Sequence, residues 1–72
     1  MTERFPRLSA KEIEKVLSRN GFELIGQSGS HRKWWNADRR ITVIVPHHGG
    51  KVLPIGTMRQ IAATLRIPLR EW

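Results

Sequence analysis

The chain has 72 residues, 13 Lys plus Arg against 6 Asp plus Glu, a net charge of +7 and no Cys. That length allows one small domain (1–72), with a core of about one layer of sheet and one of helices and no room for a deep pocket. It excludes a multidomain enzyme, a dinucleotide fold and a barrel, and the lack of Cys excludes a disulfide-stapled miniprotein.

The first helix is signalled by Ser9-Ala10-Lys11-Glu12, a capping box with Leu8 as a staple onto Ile13. It is expected to start at Ala10, to bury Ile13, Val16 and Leu17, and to leave Lys11, Glu14, Lys15 and Ser18 outside. Asn20-Gly21 ends it, with Gly21 left-handed and Phe22 folding back on Leu17. The period then changes to two. Phe22 to Gln27, Ser30 to Asn36 and Arg40 to Pro46 read as three antiparallel strands, joined by Ser28-Gly29 and by Asn36-Ala37-Asp38-Arg39.

After the loop His47-His48-Gly49-Gly50, Met58, Ile61, Ala62 and Leu65 mark a second helix. Thr57-Met58-Arg59-Gln60 is either its capping box or lies one turn inside, so Thr57 and Gln60 are assigned to capping and core, without chemistry. Pro68 should end the helix near Arg66 or Ile67. The expected fold is α+β, ordered α-β-β-β-α, with two helices on one face of a three-stranded antiparallel sheet and the other face open to a ligand.

No apolar run approaches the roughly 18 residues of a membrane span, and Met1 to Arg7 is charged and broken by Pro6, unlike a secretory signal. A cytoplasmic location is expected. The charge is concentrated: between Leu24 and Arg70, eight cations face Asp38 alone. Such a field attracts polyanions, of which nucleic acid is the commonest in the cytoplasm, although an acidic partner protein would satisfy it too.

One acid in that stretch cannot build a two-metal nuclease site. The three histidines lack Cys or a His-x-Glu pairing, and His47 and His48 would point to opposite faces, so no metal or other cofactor is expected. Acid–base chemistry by imidazole remains. His31 follows the Gln27-Ser28-Gly29-Ser30 turn, and Arg32 and Lys33 follow it; positive neighbours disfavour imidazolium and leave a ring nitrogen able to accept a proton. RNA offers such a proton on its 2′-OH, whose attack on the adjacent phosphodiester needs neither metal nor deep pocket. Read alone, an isolated His in a basic strand is more often structural or phosphate-contacting.

Gly21-Phe22, Gln27-Ser28-Gly29-Ser30-His31, Trp34, Thr42-Val43-Ile44-Val45-Pro46-His47 and Leu53-Pro54-Ile55-Gly56-Thr57-Met58-Arg59-Gln60-Ile61 together resemble the HicA, or YcfA-like, toxins over about residues 8 to 68. The resemblance implies a fold similar to a double-stranded RNA-binding domain and a metal-independent mRNA interferase with one catalytic histidine, matching His31. It also implies a HicB-like antitoxin as partner. Two features depart from it: Arg39 stands where such proteins usually have Gly, and only Ile67 to Trp72 stands where a further short helix usually follows.

Strand parity puts His31, Lys33 and Trp35 on one face and Arg32, Trp34 and Asn36 on the other. The family aromatic, Trp34, is assigned to the core and Trp35 to stacking on a base; equally, Trp35 is the buried one or covers a sheet edge. Arg32, Lys33, Lys51 and Arg59 are the expected phosphate contacts, with His47 as a weaker candidate that could also assist as an acid. Each could instead be a solvated side chain. The alternative functions are a non-catalytic RNA-binding module and an inactive relative whose basic face serves only an acidic protein.

Overall fold

The computed structural model describes residues 7–67; the expectations for Met1 to Pro6, Pro68 and the last residues to Trp72 lie outside them. The element order is α1 (Ala10–Arg19), β1 (Glu23–Ser28), β2 (His31–Asn36), β3 (Ile41–Pro46) and α2 (Ile55–Leu65). The strands form one antiparallel sheet in the order β1-β2-β3.

The start of α1 follows from its cap. The Ser9 N–H donates to Glu12 Oε1 (3.0 Å) and the Glu12 N–H to Ser9 Oγ (3.3 Å), so two donors that the first turn would orphan are satisfied reciprocally. The Ser9 N–H also holds the Glu12 carboxyl below the ordinary value of 4.5. At the other end the Phe22 N–H donates to the Leu17 carbonyl and the Gly21 N–H to that of Ser18, a Schellman pair that requires the positive φ of Gly21 (+83°).

Two turns set the meander. In the β1–β2 hairpin Gly29 has φ +58° and Ser30 does not, the type II′ pattern, with Ser28 paired to His31. The β2–β3 turn lacks Gly, and Arg40 takes the left-handed position at φ +55°. Asn36 stabilises that turn by accepting from the Arg39 N–H (3.0 Å), while its amide donates to the Asn20 carbonyl (2.9 Å) and ties the turn to the end of α1. The Arg39 side chain reaches the Leu65 carbonyl (3.3 Å) at the end of α2.

Both helices cover the same sheet face. Ile13 and Leu17 of α1, Met58, Ile61 and Leu65 of α2, and Trp34, Val43 and Val45 of the sheet form one core with Phe22 and Leu53. The cover is uneven: Leu24 and Ile25 of β1 stay 45% and 51% exposed, beside a bulge between Leu24 and Gly26.

Several boundaries differ from the sequence reading. β1 starts at Glu23 because Phe22 closes the helix cap and enters the core, and β2 and β3 start one residue later than expected. α2 starts at Ile55 on Pro54 and makes no side-chain cap bond, which places Thr57 inside the first turn rather than at a capping box. It ends at Leu65 because Arg66 turns left-handed (φ +56°). Glu14, expected outside, is buried.

Candidate active site

β2 is the central strand and divides the expected site residues between its two faces. Pairing of His31 with Pro46, Lys33 with Ile44 and Trp35 with Thr42 puts these six on the open face, with Ser28, Gly26 and Glu23 of β1 alongside. His31 and Lys33 are exposed and Trp35 is half-buried. The Gly29 turn delivers His31 as the first residue of β2, at the end of the sheet where β3 gives way to the His47 loop. Neither ring nitrogen of His31 is engaged by another described residue, so either can meet a ligand.

Arg32 and Trp34 turn to the helix layer and meet Glu14. Its carboxylate accepts from Trp34 Nε1 (3.0 Å) and from Arg32 Nη1 (3.2 and 3.5 Å), and His47 Nε2 lies 3.5 Å away. This explains how a glutamate on α1 is buried: the Trp34 and Arg32 donors replace water it loses. Trp34 is the inward aromatic, as the family assignment expected, at 8% exposure, and Trp35 is not the buried one.

The same geometry separates residues that the sequence placed together. Arg32 is committed to Glu14, and its Nε is buried with no partner among the described residues. His47 donates its backbone N–H to the Ser30 carbonyl (2.6 Å), next to His31, yet its ring turns to Glu14 on the helix side. Of the two cations that follow His31, only Lys33 shares its face. Lys51 is exposed in the loop before α2, next to the bridge between Val52 and Ser9, and Arg59 is exposed on α2.

His31 opens onto a groove of about 400 Å³ that also takes in Thr42, Val43, Ile44 and Pro46 of β3 and Thr57, Gln60, Ile61 and Thr64 of α2. Gln60 was expected in capping or core; it is exposed and lines this groove, as does the half-buried Thr57. Sequence reasoning missed this wall, although Thr57, Gln60 and Thr64 at i, i+3 and i+7 are a polar helical stripe. Among the described residues no three His, Cys, Asp or Glu side chains gather as a metal-binding group, and no helix is long and apolar enough to cross a membrane.

An exposed imidazole beside a lysine, on an open sheet face and lining a groove of mixed polar and apolar walls, can move a proton at a bound phosphodiester. A family model described as HicA toxin of bacterial toxin-antitoxin matches residues 10–67, which span both helices and the whole sheet. The chain belongs to the HicA toxin family. A search of curated proteins gives no match. Membership in the HicA family supports a toxin role for this chain in a toxin–antitoxin system and implies an antitoxin partner. The matched segment contains His31, Lys33, Trp35 and the groove wall.

Proposed function

We propose that this HicA chain is a metal-independent endoribonuclease, an mRNA interferase acting in the cytoplasm, with His31 as general base. The neutral imidazole takes the proton of a ribose 2′-OH, whose oxygen attacks the adjacent phosphorus. A P–O2′ bond forms and the P–O5′ bond breaks, leaving a 2′,3′-cyclic phosphate, while the departing 5′-oxygen takes a proton from water. Lys33, on the same face, offsets the charge that builds on the non-bridging oxygens. Trp35, two residues further along that face, offers a ring on which a base stacks. DNA lacks the 2′-OH and should remain intact.

The observation that carries this reading is the position of His31: exposed, unengaged by other described side chains, on the face of Lys33 and at a groove mouth, in a chain of a toxin family. General-base action contributes about 10²- to 10⁴-fold, or roughly 3 to 5.5 kcal/mol, which suits a slow ribonuclease. A HicB-like antitoxin is the proposed inhibitor. With His31 and Lys33 exposed on the open face, it would act by covering them.

The test is regulated expression of wild type beside His31→Ala, with growth and total mRNA followed, and cleavage by the purified proteins in EDTA. Growth arrest, RNA loss and EDTA-resistant cleavage confined to wild type are expected. Salt-dependent RNA binding that leaves the substrate intact would select the non-catalytic binding module. Cleavage abolished by EDTA would overturn the metal-free mechanism.

A further inference from the structure

The wall that faces His31 across the groove has its own chemistry. Thr57, Gln60 and Thr64 flank the buried Met58, Ile61 and Leu65 stripe of α2, so the helix turns a hydroxyl–amide–hydroxyl row toward β3. The outer edge of β3 pairs with no strand among the described residues. The bond from the His47 N–H to the Ser30 carbonyl fixes which groups are left over. In an antiparallel ladder, bonded pairs alternate, so Arg32–Val45 and Trp34–Val43 follow as bonded pairs, and Thr42 and Ile44 direct their N–H and C=O outward. Pro46, next in that outward series, has no N–H to leave unpaired.

We infer that this track reads the bases of single-stranded RNA as the strand passes to His31, with the Gln60 carboxamide as the base-discriminating side chain. The inference rests on the ribonuclease reading and adds to it the site of sequence selection. Base edges present donors and acceptors together, and the track matches them with the outward groups of Thr42 and Ile44 and with the amide of Gln60. The Thr64 hydroxyl already donates to the Gln60 carbonyl (3.0 Å), so it is left to act as an acceptor. Val43, Ile44, Pro46 and Ile61 give the same groove apolar surface for base faces.

A single strand fits where a duplex does not, because paired bases keep their Watson–Crick edges turned inward. The charges agree with a polyanion crossing the groove. Lys33 lies across from Ile44 near the His31 end, and Arg40 and Arg66 are exposed at the hairpin end, where Asp38 is the one acid between residues 24 and 67. A protein strand could pair with the same edge, but strand addition draws its specificity from pockets for alternate side chains, whereas this wall is flat, hydroxylic and basic at its ends.

The test has two arms. In the first, wild type and Gln60→Ala cut a randomised single-stranded RNA pool. Gln60 is exposed on a helix, so Ala should leave the fold intact, which circular dichroism checks. Cutting should continue while the nucleotide preference next to the cut changes on the order of tenfold; an unchanged preference overturns the inference. The second arm does not depend on cleavage. An uncleavable 2′-deoxy-substituted oligonucleotide is titrated into wild type and amide shifts are mapped. Shifts at Thr42, Ile44, Gln60 and Thr64 support the track. Shifts confined to Lys33 and Trp35, or no binding while a partner's strand occupies β3, overturn it. If wild type cuts no RNA but the second arm succeeds, the catalytic reading fails and the binding track stands.

Discussion

Replacing Glu14 tests the network that orders the helix side of β2. In Glu14→Ala the Trp34 indole N–H, in a residue 8% exposed and 3.0 Å from its acceptor, is left without a partner, at a cost of about 1–3 kcal/mol. The Arg32 contact adds less. Its side chain keeps 32% of its surface in solvent and can turn to water, so about 0.5–1 kcal/mol is lost there. The sum, about 1.5–4 kcal/mol, is a large share of the roughly 4–11 kcal/mol expected of a domain this size and should lower Tm by about 10–25 °C. Glu14→Gln keeps a carbonyl acceptor for Trp34 and should fall between wild type and Ala. Urea and thermal unfolding measure the series. A Glu14→Ala protein within 0.5 kcal/mol (an order-of-magnitude threshold) of wild type would show that the carboxylate does not support the buried indole.

The remaining predictions separate charge roles. Lys33→Ala should lower the magnitude of the salt-dependence slope of RNA binding by about 0.7, one single-strand phosphate contact, whereas Arg32→Ala should cost stability and leave that slope nearly unchanged; titrations at several salt concentrations distinguish them. The Glu12 carboxyl is held below 4.5 by the Ser9 N–H, so the cap contributes stability above the unfolded carboxylate value and loses it as pH falls through the lowered folded value. Glu12→Gln should therefore narrow its deficit relative to wild type in melts taken on the acid side, and a deficit independent of pH would contradict the cap's electrostatic part.

Much of this arrangement was legible in the residues. The Ser9–Glu12 box, the Gly21 stop and the alternation that puts Trp34 and His31 on opposite faces are local rules, and each appears where the sequence put it; which face is inward came from the family resemblance, not from alternation. Glu14 was not legible, because a charged residue beside an apolar stripe is ordinarily solvated and its two donors, Arg32 and Trp34, arrive from β2, far along the chain. Parity already put Arg32 opposite His31, but its commitment to Glu14 rather than to phosphate depended on that unread glutamate, and nothing in the loop sequence said which side the His47 ring takes. The start of α2 was ambiguous because the Thr57–Gln60 pattern looked like a cap but lies inside the helix, whose first bond runs from the Met58 N–H to the Pro54 carbonyl with no side-chain cap. The groove wall was hidden in plain residues, because Thr57, Gln60 and Thr64 gain a role only when the helix lies against the outer edge of β3.

The most direct measurement is single-turnover cleavage of one defined RNA, in EDTA, by wild type and by His31→Ala, with folding of the variant checked by its melt. His31 is exposed and supports no core contact, so the variant should melt like wild type and cut about 10²- to 10⁴-fold more slowly, the wild-type product ending in a 2′,3′-cyclic phosphate. A folded variant that cuts at the wild-type rate would contradict the assignment of His31 as the base.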